Sequence, residues 1–168
     1  MFTHLLVPVD GSPLAACALP HAVAFARAFQ AKVTLLRVLA VPPSGVPINS
    51  FDWQLYKAEA EAYLAGIAQP LQMAGIATAT VVLEGQPANL IVDYVHRHQI
   101  DLVILSSHGE SGLTGWNIGS VAQKILLRAH ISCLLVRAYP PLQVECTDLH
   151  YQRLLVPLDG SLRAECAL

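Results

Sequence analysis

Four glycines, Gly109, Gly112, Gly115 and Gly119, fall within eleven residues of the segment SSHGESGLTGWNIGS, residues 106–120. The segment follows an apolar run, Leu102–Ser106, and ends where a helical pattern begins at Gly119-Ser120. This is a layout for holding an anion. Backbone amides at a helix N-terminus carry partial positive charge and point outward. Gly119 lets a ligand approach the backbone closely, and Ser120 adds a hydroxyl. Asp10 is the second residue of interest. It ends the apolar run LLVPV and precedes Gly11-Ser12. An aspartate there is a common turn or capping residue. Its position at the carboxyl end of a strand adds a ligand-binding reading.

Other chemistries lack their residues. No GxxxxGK[ST] is present, so there is no P-loop, and no GxGxxG follows the first strand. Gly109-Glu110-Ser111-Gly112 lacks the spacing of a nucleophile elbow. As a general base His108 would need a nucleophile and an orienting partner, and spacing supplies neither. It is read as a loop histidine with a structural hydrogen bond. His96 and His98 lie two apart and do not share a helix face. They are expected to complement the negative end of their helix rather than bind metal. His4, His21, His130 and His150 show no ligand spacing either.

The elements that must position these residues alternate between two periods. Strands are expected at His4–Val9, Lys32–Leu39, Thr78–Leu83, Leu102–Ser106 and Ser132–Arg137. Helices are expected from Ser12-Pro13 to about Phe29, Asp52–Met73, Pro87 to about His98, and Ser120 to about Ala129. Ser12 is an N-cap residue and Pro13 suits the first helical position. Gly75 marks the end of the long helix, and Pro70 is expected to kink or fray its last turns. The fold class is therefore α/β: a doubly wound, mainly parallel, five-stranded sheet with helices on both faces, Rossmann-like. In such sheets ligands sit beyond the carboxyl ends of the strands, where strand order reverses. Residues 10–12, 40–50, 85–87 and 106–120 are the loops in question.

The chain has 168 residues, 54% of them hydrophobic and 13% charged, with net charge −2 and a pI near 6.4. A charged fraction of about a quarter is usual. Such a chain is neither a disordered solvating segment nor a basic nucleic-acid binder. Its apolar runs are broken by Pro, Gly, His or Arg before a bilayer-spanning length, and the N-terminus has no signal-peptide pattern. A cytoplasmic protein with reduced thiols is expected, since Cys17, Cys133, Cys146 and Cys166 have no CxxC spacing.

Residues 5–19, LLVPVDGSPLAACAL, return as residues 154–168, LLVPLDGSLRAECAL, with eleven of fifteen positions identical at an offset of 149. The period is far too long for a solenoid, so this is a duplicated domain. The expected organisation is one domain at 1–138, a linker at 139–151 opened by Pro140-Pro141, and at 152–168 the incomplete start of a second copy. That last piece cannot bury a core of its own. It is expected to be disordered or to borrow a partner, for instance a neighbour's exposed sheet edge.

LLVPVDGS and SSHGESGLTGWNIGSVAQKIL together resemble the opening and closing signatures of the universal stress protein family. Residues 3–138 carry the resemblance. Nucleotide-binding members share G-x2-G-x9-G-[S/T], matched here by Gly109, the nine residues Glu110 to Ile118, and Gly119-Ser120. The first position departs, with Ser106 in place of glycine.

The resemblance implies strand order 3-2-1-4-5 and a site for ATP, or another adenine nucleotide, with Mg²⁺. Asp10 would meet ribose hydroxyls or the phosphate-bound metal, with Pro8 and Val9 as the adjoining wall. Val38 would meet the adenine. Ser106, Ser107, His108 and Gly109 would line the loop, and Gly119, Ser120 and Val121 would receive the phosphates. Ser106 leaves two outcomes: a side chain crowding a backbone the family keeps bare, or a hydroxyl bonding the ligand. Members commonly dimerise through the last strand, here Ser132–Val136, so a homodimer is expected. Trp116 would be part of a lid or partner surface.

The function so implied is that of a nucleotide-binding sensor or regulator in stress response. Nucleotide would order residues 106–120 and the adjacent dimer surface. It would not be an enzyme, since nothing positions a base for ATP hydrolysis. The alternative is a member that binds no nucleotide and acts as an interaction module, and Ser106 is its main support.

Overall fold

The computed structural model describes residues 1–41, 49–109, 118–138 and 149–161. Trp116, Cys146, Cys166, Pro140-Pro141, most of the 40–50 loop and most of the glycine-rich loop lie outside them. Among the described residues the strands are β1 His4–Pro8, β2 Lys32–Leu39, β3 Thr78–Glu84, β4 Leu102–Ser106 and β5 Ser132–Val136. The helices are α1 Pro13–Ala16, α2 Leu19–Phe29, α3 Ser50–Met73, α4 Pro87–Arg97 and α5 Ser120–Arg128.

All five strands are parallel, in the order β3-β2-β1-β4-β5. The central strand carries both cores. Leu5 and Val7 face one side, packed with Val33 and Leu35 of β2 against α2 and with Leu64 and Leu71 of α3. Leu6 faces the other, with Leu36, Val103, Ile91 and Val95 of α4, and Ile125 of α5. Strands apolar on both faces are what a sheet covered on both sides requires.

The expected single helix from Pro13 to Phe29 is two helices. Ser12 caps the first, its Oγ accepting the Ala15 N–H at 3.1 Å. Pro20 has no N–H for a bond back to the Ala16 carbonyl, and the chain restarts as α2 with this proline in its first turn. The buried stripe of α2 is Leu19, Ala22, Val23 and Ala26, with His21 and Phe25 half-buried beside it. In α3 the helix continues through Pro70 to Met73, because residue 70 is on the exposed face where the freed Gly66 carbonyl meets water. Gly75, at φ +79°, then ends it, with Ile76 N–H donating to the Leu71 carbonyl at 3.0 Å. No helix among the described residues is long and apolar enough to cross a membrane.

Candidate functional site

In this strand order the chain leaves β1 toward β2 and leaves β3 for β4 on the other side of β1. Connections therefore diverge between β1 and β4, and a crevice opens beyond their carboxyl ends. It is a cleft of about 340 Å³. Pro8, Val9, Asp10, Val38, Ser106, Ser107, His108, Gly109, Gly119, Ser120 and Val121 all line it. The sequence had picked these residues from four separated segments, and the fold brings every one of them to the same cavity.

The floor is built on a turn. Asp10 Oδ1 accepts the Ser12 N–H at 2.9 Å, an Asx turn that sends the chain from β1 into α1. Gly11, at φ +93°, makes the turn. Across the crevice, a Cβ on Gly109 would overlap Asp10 Oδ2. Glycine at 109 is therefore what admits the carboxylate to the centre of the site. Gly119 is tight for a different reason. Its N–H donates to the Ser107 carbonyl at 2.8 Å, and a Cβ there would meet the same oxygen at 3.2 Å.

Ser106 turns its hydroxyl to its neighbours within the fold. Its Oγ accepts the Cys17 thiol at 3.4 Å and the His108 N–H at 3.3 Å. Burial pushes the Cys17 thiol up, and the bond to Ser106 opposes this. Ser107 Oγ accepts the Ala138 N–H at 3.2 Å and lies 2.9 Å from His108 Nδ1. Only donation to Nδ1 satisfies the hydroxyl's own proton, which puts the ring proton on Nε2, a tautomer inferred from this network. His108 has the structural hydrogen bond expected of it. Its partner is the adjacent residue, a relation spacing could not reveal. Among the described residues its buried Nε2 has no hydrogen-bond partner. The serine hydroxyl is buried and tied to a backbone amide, which does not make it a nucleophile.

The opposite rim is the start of α5. Gly119 is its N-cap, and no side chain caps it. By contrast α1 and α3 are capped by Ser12 and Asn49. Among the described residues the Ser120 and Val121 amides at the start of α5 therefore have no side-chain cap, the condition under which a helix N-terminus receives an anion. Val38, Pro87, Ile91, Leu105 and Ile125 give the cavity an apolar wall.

Sequence reasoning missed Arg37 and Tyr56, which also line the cleft. The Arg37 guanidinium lies 5.4 Å from the ring centre of Tyr63 and 5.9 Å from that of Tyr56. A Cβ on Gly11 would sit 3.1 Å from it. Burial raises the Tyr63 hydroxyl's pKa, Asp10 adds to the rise, and Arg37 opposes it. A charged residue within the apolar strand VTLLRVL was the available signal. Among the described residues no cluster of three or more His, Cys, Asp or Glu side chains is arranged for a metal.

An open parallel sheet in this order, with a ligand-sized cleft at its switch point, defines a doubly wound α/β protein. The model of the universal stress protein family matches residues 1–137, and the chain belongs to that family. It is 31% identical over 142 residues to universal stress protein MJ0531 of Methanocaldococcus jannaschii, covering 82% of this chain and 83% of that protein. The solved structure of MJ0577 from the same organism superposes with a TM-score of 0.73 at 26% identity, covering 83% of this chain and 98% of the other. A universal stress protein solved in complex with cAMP superposes with a TM-score of 0.63 at 21% identity, covering 82% and 98%.

Proposed function

We propose that the cleft binds an adenine nucleotide, ATP with Mg²⁺ in the first instance, and that the protein acts as a nucleotide-linked regulator in stress response rather than as an enzyme. One observation carries the reading. The Asp10 carboxylate and the uncapped start of α5 face one cavity, and Gly109 is bare where a side chain would displace Asp10. Asp10 would take the ribose hydroxyls or the phosphate-bound cation. The amides of Ser120 and Val121, with the Ser120 hydroxyl, would take the phosphates, and the Gly119 amide, bonded to the Ser107 carbonyl, would hold the loop in place beneath them. Val38 and the apolar wall would take the base. The cAMP complex shares the fold at low identity, so the assignment rests on the residues of this chain.

Ser106 fits within this reading. Its oxygen accepts from Cys17 and the His108 amide, which holds the side chain against the fold. Mg²⁺ would be held mainly by the phosphates, since the nearby protein carboxylate is that of Asp10. Bound phosphates would tie the end of β4 to the start of α5, stabilising the fold by an amount set by nucleotide concentration. Strand β5 is hydrogen-bonded to β4 on one side and is the outer strand of the sheet. We assign the homodimer contact to its free side.

The test is direct. Protein purified without added nucleotide is denatured, and released small molecules are identified by mass. Equilibrium dialysis with Mg·ATP is then run on wild type and on Gly119→Val/Ser120→Ala. Bound nucleotide, and its loss in a variant with native near-UV circular dichroism, is the expected result. Empty wild-type protein that shows no thermal shift with Mg·ATP would sink the nucleotide reading.

A further inference from the structure

Residues 151–161 repeat residues 2–12 at the same offset of 149, and seven of the eight residues Leu154–Ser161 are identical to Leu5–Ser12. The two copies live in opposite surroundings. In β1, Leu5, Leu6 and Val7 are fully buried, with hydrogen-bonded neighbours on both sides. In the second copy, Leu154 is 83% and Leu155 91% exposed, in a stretch outside any helix or strand. An extended segment apolar on both faces suits the interior of a sheet covered on both sides. Leu154, Leu155, Val156 and Pro157 carry the same side chains as Leu5, Leu6, Val7 and Pro8, which fill the slot between β2 and β4.

The structure also docks the start of the second copy on α2. Phe2, just before β1, packs on Phe25 of α2, ring centres 6.3 Å apart. Tyr151 is the repeat counterpart of Phe2, and it packs edge-on against the same Phe25 at 5.9 Å. Its hydroxyl bonds His21 Nδ1 at 2.5 Å. The leading aromatics of both copies therefore share one partner ring, on the helix that follows β1. Local turn chemistry is in place as well. Asp159 Oδ1 accepts the Ser161 N–H at 2.9 Å, and Gly160 has φ +77°, the same turn that Asp10, Gly11 and Ser12 form after β1.

We infer that residues 151–161 are a spare first strand, which takes the slot between β2 and β4 of its own chain when β1 leaves it. The chain would then fold as a circular permutant of itself, with β5 leading into the replacement strand. Tethering makes this intramolecular, because residues 139–150 connect Ala138 to a Tyr151 already packed on Phe25, the ring that Phe2 also packs on. The differences between the copies decide which one holds the slot. His4 is buried and its Nε2 lies 2.9 Å from Thr34 Oγ1. Arg153 would bring a fixed charge to that position. The Thr3 hydroxyl donates to Asp101 at 2.6 Å, a bond Gln152 cannot repeat in the same geometry. Val9 is only 4% exposed, and Leu158 is larger. β1 therefore wins in the intact chain, and the spare enters when β1 is damaged. The exchange would carry Pro157 and Asp159 into the positions of Pro8 and Asp10.

The test uses the whole chain and three variants. Leu6→Asp puts a charge at a fully buried site, Leu155→Asp puts one on the exposed copy, and the third variant combines them. Leu155→Asp alone is expected to unfold like wild type. Leu6→Asp is expected to keep a cooperative thermal transition and native near-UV circular dichroism, at a lower midpoint. The double variant is expected to lose both. The inference is overturned if Leu6→Asp is as unfolded as the double variant, or if the double variant folds as well as Leu6→Asp. A Leu6→Asp transition that rises with protein concentration, while that of wild type does not, would overturn the intramolecular assignment and place the exchange between copies.

Discussion

The first strand and its copy are the same sequence in two environments, and they differ in what survives. The Asp-Gly-Ser turn forms in both, at the same 2.9 Å and with glycine at positive φ each time. The strand forms only in the first. A turn bonded within three residues is complete in itself. A parallel strand has no internal hydrogen bonds, so it exists only where β2 and β4 supply partners and the helices cover both faces. Identical residues thus encode the turn locally and the strand only conditionally.

The largest expected break in the symmetry is in the leucines. Leu5→Ala removes a fully buried side chain from the first core and is expected to cost about 2–5 kcal/mol. Leu154→Ala, its repeat partner, is expected to stay within about 0.5 kcal/mol, as surface changes do. Urea denaturation with unchanged m-values measures both. Equal losses would mean that the copy is buried in solution.

The turns should separate by less. Alanine at positive φ is strained wherever it sits, at about 1–2 kcal/mol. At Gly11 the strain is coupled to the fold, and the new Cβ also crowds the Arg37 guanidinium at 3.1 Å. Gly11→Ala is expected to lower global stability by that amount and to weaken nucleotide binding through Asp10. At Gly160 nothing among the described residues lies within 4 Å of the added carbon. Gly160→Ala should disturb its turn and leave the global transition where it was. A Gly160 effect as large as that of Gly11 would show that the second turn is anchored to the body of the protein.

The same division explains what could be read from sequence. The α/β class, the loops at the strand ends and the roles of Asp10, Gly119 and Ser120 followed from local signals, whereas the strand order and the other cleft-lining residues followed from the family resemblance. The break at Pro20 was also local, and was passed over for the longer periodicity. Arg37 was not legible as a cleft residue, because its place depends on Tyr56 and Tyr63 from a helix nineteen or more residues away. The Ser106 question was undecidable in sequence for the same reason. Cys17, its partner, lies 89 positions earlier.

The smallest effect tests the position where the two copies differ most, His4 against Arg153. Burial is the main cause that holds the His4 pKa below its ordinary value, and nearby Lys32 lowers it further. Burial lowers that of His21 as well. The unfolded chain therefore takes up protons more readily than the folded one as pH falls below about 6.5. Stability from this source is complete above that pH and is lost as pH falls through the folded-state values. The midpoint of thermal unfolding should decline between pH 7.5 and 5.5. His4→Gln keeps a polar group near Thr34 but cannot be protonated. It should flatten the decline and leave the contribution of His21, at a cost of about 1 kcal/mol at neutral pH. An unchanged slope would mean that His4 protonates in place, and an arginine at the corresponding position of the copy would then be no barrier to its entering the sheet.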